Sequence, residues 1–164
     1  MSIDTTQVAV LQALVALLRT TLTLNDRQCY EAPEPAVPPT DPPGGDYVLT
    51  VAPADGRFDE AEQAGGGAAE VREEASVVVT ICVHVDLDTA DHLTRALYDA
   101  KRGLLSIKRL VLKTLAGQML TSGTNPLLTD YMAALQSWKP RRDESREWIM
   151  IGVAFSTDFN WDLS

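Results

Sequence analysis

Two cysteines and two histidines are all that this chain of 164 residues offers to thiol, metal and imidazole chemistry. Cys29 and Cys82 are far apart and belong to no C-x-x-C pair, which excludes a disulfide framework and leaves no zinc or redox signature. Both fall in predicted strands, so both are read as buried, reduced thiols. No serine stands in a G-x-S-x-G context, and so few histidines leave few general bases. No lysine of the phosphate-binding type follows Gly65, Gly66 and Gly67. Long hydrophobic runs are also missing. Gln12 interrupts Val8–Leu18, which falls short of the roughly 20 residues that span a bilayer. The opening MSIDTTQ carries an acid where a secretory signal carries lysine or arginine, so the expectation is a soluble protein made in the cytosol.

Positive charge is scarce in one half only. Residues 1–74 hold 13 acids and 4 bases, whereas residues 75–164 hold 10 of each. The net charge of −9 opposes nonspecific contact with nucleic acid or an anionic membrane, because phosphate repels most of such a surface. The asymmetry favours head-to-tail contact between copies or docking on a basic partner. Hydrophobic residues make up 45%, enough for one folded domain with its own core over 1–164.

Hydrophobic spacing then sets the elements. Asp4 and Gln7 predict a capping-box start, and Val8, Leu11, Leu14, Val15, Leu18 and Leu22 repeat at helical steps to Asn25-Asp26. Gln28–Ala32 reads as a short strand. Six prolines between 33 and 43 remove backbone donors and fix φ, so 33–45 is an extended connector. Tyr47–Ala52 reads as a strand and Asp55-Gly56 as a turn. A flexible acidic loop, Asp59–Glu74, leads into a strand beginning at Ala75. There Val77, Val79, Ile81, Val83 and Val85 share the core face, and Val78, Thr80, Cys82, His84 and Asp86 the other, which becomes more polar toward its end where the sheet meets solvent. A long second helix follows, with Leu93, Leu97, Ala100, Leu104, Ile107, Val111 and Leu115 on one stripe; Gly103 bends or splits it. A short third helix is predicted over Leu127–Trp138, then a last strand through Ile149, Ile151, Val153 and Phe155. The fold class is α+β: a mainly antiparallel sheet of about four strands, with the N-terminal helix and the long helix on one face.

Three groups of residues invite a functional reading. His84, Asp86, Asp88, Asp91 and His92 cluster where a strand gives way to a helix, and His84, Asp86 and His92 could share a metal in a small metal-dependent enzyme. Acids at a helix start and a strand entering solvent account for the same residues without a metal. Arg95, Arg102, Arg109 and Lys113 form a basic face opposite the apolar stripe, fit for an acidic patch such as Asp59, Glu60, Glu62, Glu70, Glu73 and Glu74 of a second copy. Phe159 and Trp161 end the chain as aromatics that either fold back or anchor a partner. No catalytic residue, cofactor site or metal site is assigned.

The element order, length and character from Ile3 to Leu163 resemble the tail terminator (tail completion) proteins of long-tailed bacteriophages and related contractile systems. The proline run and residues 121–146 depart from the minimal pattern. The resemblance implies a structural virion protein of the tail or neck, assembled in the bacterial cytoplasm. It also implies a hexameric ring that caps the tail-tube protein and presents a joining surface to a neck or head-completion protein. Another neck or head–tail connector protein is the alternative within the same setting.

Overall fold

A computed structural model describes residues 6–35, 47–59, 70–85, 91–144 and 147–162. Helix α1 (Thr6–Leu22) is followed by strands β1 (Cys29–Glu31), β2 (Tyr47–Phe58) and β3 (Glu70–His84). Helices α2 (His92–Tyr98) and α3 (Leu104–Leu115) come next, then the short strands β4 (Thr121–Ser122), β5 (Asn125–Pro126), β6 (Ala134–Ser137) and β7 (Arg141–Arg142). Strands β8 (Trp148–Ser156) and β9 (Phe159–Asp162) close the fold. The main sheet runs β1-β2-β3-β8-β6, with β7 also on β8 and β9 also on β3. Every pairing is antiparallel except β1 with β2. The class is α+β, as expected, but the main sheet has seven strands among the described residues rather than about four.

The core lies between this sheet and helices α1 and α3. Val77, Val79, Ile81 and Val83 of β3 meet Ile151, Val153 and Phe155 of β8 on one apolar face. Val10, Leu14 and Leu18 of α1 and Leu104, Ile107, Val111 and Leu115 of α3 cover it. Each fully buried side chain of this size contributes roughly 1.5–3 kcal/mol, before the entropy of ordering the chain is subtracted. The face of α1 centres on Val10, Leu14 and Leu18, whereas Val8, expected on it, is exposed. The helix stops at Thr23, whose φ of 55° is left-handed. Asn25 then accepts from the backbone N–H groups of Arg27 and Gln28 at 2.9 and 3.0 Å, and Arg19 Nε donates to the Cys29 carbonyl at 2.8 Å. Asp4, the expected cap, lies outside the described residues, as does 36–46 of the proline-rich connector.

Three local expectations are corrected, and two others are met. The predicted turn at Asp55-Gly56 is a bulge inside β2, where the register slips between Pro53 and Gly56 and Ser76 Oγ donates to the Asp55 carbonyl at 2.8 Å. The β2–β3 ribbon therefore runs on to Phe58 opposite Glu73, and β3 begins at Glu70, not Ala75. Glu70, Glu73 and Glu74 are strand residues rather than loop, held from the other side by β9, which pairs Asp162 to Phe159 with Glu70 to Glu73.

The long second helix is split in two before Gly103, one of the two outcomes expected of that glycine. Asp99 Oδ1 accepts from the N–H groups of Lys101 and Arg102 at 2.9 and 2.8 Å, drawing those donors out of the helical ladder. Those same bonds hold the Asp99 carboxyl below its ordinary range. Gly103 is needed there because a Cβ would stand 2.5 Å from the Asp99 nitrogen.

Leu127–Trp138 is not helical. Leu128 and Met132, four residues apart, imitate a helix stripe but are separate anchors into the core. Between and after them the chain pairs with the edge of β8, where Ala133 N–H donates to Ser156 Oγ at 2.8 Å and Trp138 N–H to the Gly152 carbonyl at 3.1 Å. On the sheet face away from the helices Val78, Thr80 and Cys82 are buried and His84, nearer the strand end, is exposed, which follows the expected gradient. Cys82 packs with Val48, Trp148 and Met150 in a second small core.

Candidate assembly surfaces

The outer halves of β2 and β3 form an arm beyond the core, and its two faces differ. Glu73 turns inward and accepts from Trp161 Nε1 at 3.3 Å, and Trp161 lies against Phe159 with ring centroids 5.2 Å apart. Phe159 is completely buried, so it is a core residue and offers no surface to a partner; Trp161 is half-buried beside it. The expectation that the terminal aromatics either fold back or anchor a partner resolves to folding back, because β9 pairs along β3. Arg72 Nη2 reaches Asp158 Oδ2 at 3.6 Å on the same arm. Burial pushes the Asp158 carboxyl above its usual range despite that arginine. Glu70 and Glu74 are exposed on one face of the arm, Phe58 is exposed on the other face opposite Glu73, and Asp59 is half-buried. Glu60 and Glu62 lie outside the described residues.

The basic residues are spread over more than one element. Arg95 stands on α2, with Asp91 at 3.8 Å in an exposed pair of the kind worth a few tenths of a kcal/mol. Arg102 sits in the turn between the helices. Arg109 and Lys113 are exposed on α3 with Leu105 and Leu110. Lys108 Nζ donates to Ser137 Oγ at 2.9 Å, which joins α3 to the edge strand β6. Beyond β6 follow Lys139 and Arg141, both exposed. The basic surface is thus a margin that runs from α3 across β6 to β7, broader than the single helix face predicted.

The other side of that margin opens on a groove of about 1010 Å³ over the sheet face away from the helices. Its floor is Val78, Thr80, Gly152 and Ala154, and one wall is Leu135 and Trp138. A Cβ on Gly152 would come within 3.1 Å of the Trp138 ring, so the glycine lets that ring lie close on the sheet. Thr50, paired directly with Thr80 in the ladder, keeps a buried hydroxyl without a hydrogen-bond partner among the described residues. Sequence reasoning missed this groove because Leu135 and Trp138 were assigned to a helix. Read as a strand, ALQSW carries Leu135 and Trp138 beside Gln136 and Ser137 with no glycine or proline to disfavour an edge.

The metal candidate does not assemble among the described residues, which contain no group of three metal-ligating side chains. The His84 ring meets Trp148 edge-on at 5.1 Å, and His92 begins α2. Asp86 and Asp88 lie outside the described residues. Cys29 and Cys82 point to opposite faces of the sheet, each in a different core cluster. Burial pushes both thiols up to about 12, which keeps them protonated and unreactive near neutrality. No described helix is long and apolar enough to cross a membrane.

No family model matches this chain, and no curated protein matches it. A solved structure titled "Virion of native gene transfer agent (GTA) particle" contains a chain similar over 92% of this one and 91% of its own length, at 19% identity and a TM-score of 0.47.

Proposed function

We propose that this chain is a structural, non-enzymatic protein of a phage-like virion that caps the tail tube, stops its polymerisation and forms the surface joining head to tail. It acts as a closed ring of copies, six-fold by the resemblance stated above. The observation that carries this reading is the separation of charge across one rigid sheet. Acids outnumber bases on the β2–β3 arm, and bases lie on α3, at Lys139 just after β6 and on β7. In the strand order β2 and β6 stand three spacings apart, roughly 14 Å. That is more than a Debye length at physiological salt, so the two patches suit contact between copies better than contact within one. A donor patch and a different acceptor patch make a heterologous contact, which closes into a ring when the rotation between copies allows.

The test is charge reversal. Arg102→Glu with Arg109→Glu is expected to weaken the ring or its capture by purified tail tubes, and more so at low salt. Oligomerisation and tube capture equal to the unaltered chain would remove the basic margin from the mechanism. Capture by isolated neck complexes but not by tubes would favour the alternative connector role.

A further inference from the structure

One carboxylate of the arm is buried without a cation. Glu73 is 7% exposed, and its side chain accepts one hydrogen bond among the described residues, from Trp161 Nε1 at 3.3 Å. That is long for a bond to a charged acceptor. The second oxygen lies over Gly56, where a Cβ would collide with it. A carboxylate this buried ordinarily has a cation or several donors beside it. The two described bases of the arm cannot supply one. Arg57 stands opposite Glu74, and Arg72 reaches Asp158 at 3.6 Å. Alternation along the strands puts both on the other side of the ribbon from Glu73. The side that Glu73 shares is lined by apolar groups. Phe58 is directly opposite it and half-exposed, and the next pair outward is Val71 with Trp161, both half-buried. A carboxylate inside an aromatic rim suits a guanidinium, which stacks on the rings while its N–H groups reach the oxygens.

Helix α3 presents such a group. Its residues Leu104, Ile107, Val111 and Leu115 face the core, so the exposed Arg109 points away from its own sheet. Leu105 and Lys113 stand one turn to either side of Arg109, and Leu110 is next to it. Both leucines are 40% exposed. We propose that the arm face carrying Glu73 receives the outer face of α3 from a second copy of this chain, with Arg109 paired to Glu73 and Leu105 and Leu110 against Phe58 and Val71. This rests on the assembly reading above and names its contact. Charge selects the occupant, because the recess is anionic and α3 carries Lys108, Arg109 and Lys113 with no acid. A charge pair enclosed by apolar side chains, with an aromatic and an arginine among them, is the usual energetic centre of a protein contact. Arm and helix are different surfaces, so each copy gives one and receives one.

The experiment measures the dissociation constant between full-length copies by sedimentation velocity, for Glu73→Gln, Arg109→Gln and the two together. Glutamine keeps the shape of Glu73 and still accepts the indole N–H, so circular dichroism should match the unaltered chain. Each single variant is expected to raise the dissociation constant roughly ten- to a hundredfold, the loss of a charge-assisted pair. The double variant should be no weaker than the weaker single, because both changes remove one contact. A single variant that keeps the unaltered constant, or single effects that multiply in the double, overturns the pairing. Phe58→Cys with Leu105→Cys checks the seating and leaves both charges in place. The native Cys29 and Cys82 can stay, because both are buried. A bis-maleimide should link this variant into a ladder from dimer upward, whereas each single cysteine stops at dimer. No species above dimer overturns the seating. If rings still form in either failure, the contact lies elsewhere and the assembly reading survives. A chain that is monomeric at every concentration and salt also overturns this contact and leaves tube capture to judge the wider function.

Discussion

Replacing Phe159 by alanine tests whether the end of the chain is structural. The ring is fully buried, 5.2 Å from Trp161, at the point where β9 clamps the outer half of β3. Removing it deletes the apolar contact and leaves a cavity that backbone pairing on both sides keeps from collapsing. Substitutions of this kind cost about 3–5 kcal/mol. Domains of this size are stable by about 5–15 kcal/mol, so the loss is a large share of the total. With a urea slope near the middle of the usual range, about 2 kcal/mol per molar, the midpoint should fall by about 1.5–2.5 M with the slope unchanged. Phe58→Ala is the internal control. The same residue type is removed from the same arm, but from a half-exposed position, and the cost should stay under about 1 kcal/mol. Urea unfolding followed by tryptophan fluorescence and circular dichroism measures both. A Phe159→Ala midpoint within about 0.5 M of the Phe58→Ala midpoint would refute the burial argument.

Two further outcomes follow from the ionisable groups. Burial raises the Asp158 carboxyl in the folded chain, so its protonation favours folding: the contribution is full below the unfolded value of 3.8 and is lost as pH rises through the folded value. Asp158→Asn should therefore gain stability relative to the unaltered chain as pH is raised from about 3.5 to 7. A stability difference that stays constant or moves the other way contradicts the assignment. For the thiols, pushed up to about 12 and buried on opposite sheet faces, a thiol-specific reagent at pH 8 should label neither until denaturant is added. Rapid labelling of the native chain would show that one of them reaches solvent.

The parts of the fold legible from sequence are those where local pattern and tertiary burial agree. The alternation of Val77, Val79, Ile81 and Val83 placed the core face of β3 correctly, and the 104, 107, 111 and 115 spacing placed that of α3. Errors came where a distant segment decides the outcome. The start of β3 at Glu70 depends on β9, some ninety residues later, lying alongside it and giving acidic residues backbone partners. Leu128 and Met132 follow helical spacing, yet the open edge of β8 takes the following residues as a strand. The second small core was not legible because Trp148 and Met150 reach Cys82 only once β8 pairs with β3. At the assembly surfaces, the exposed acids Glu70 and Glu74 and the bases Arg109 and Lys113 were readable as charge. Glu73 was not, since only the fold shows that it receives the Trp161 indole. Leu135 and Trp138 were hidden by the wrong period, and with them the groove.

The account turns on self-assembly through unlike surfaces, and the native mass of the purified chain tests it most directly. Mass should be measured at low and at moderate salt, with negative-stain images of the same samples. The account predicts closed rings of uniform size at low salt that loosen as salt rises, because acidic arm meets basic margin. A chain that is monomeric at low salt and high concentration, or a symmetric dimer that goes no further, would contradict it.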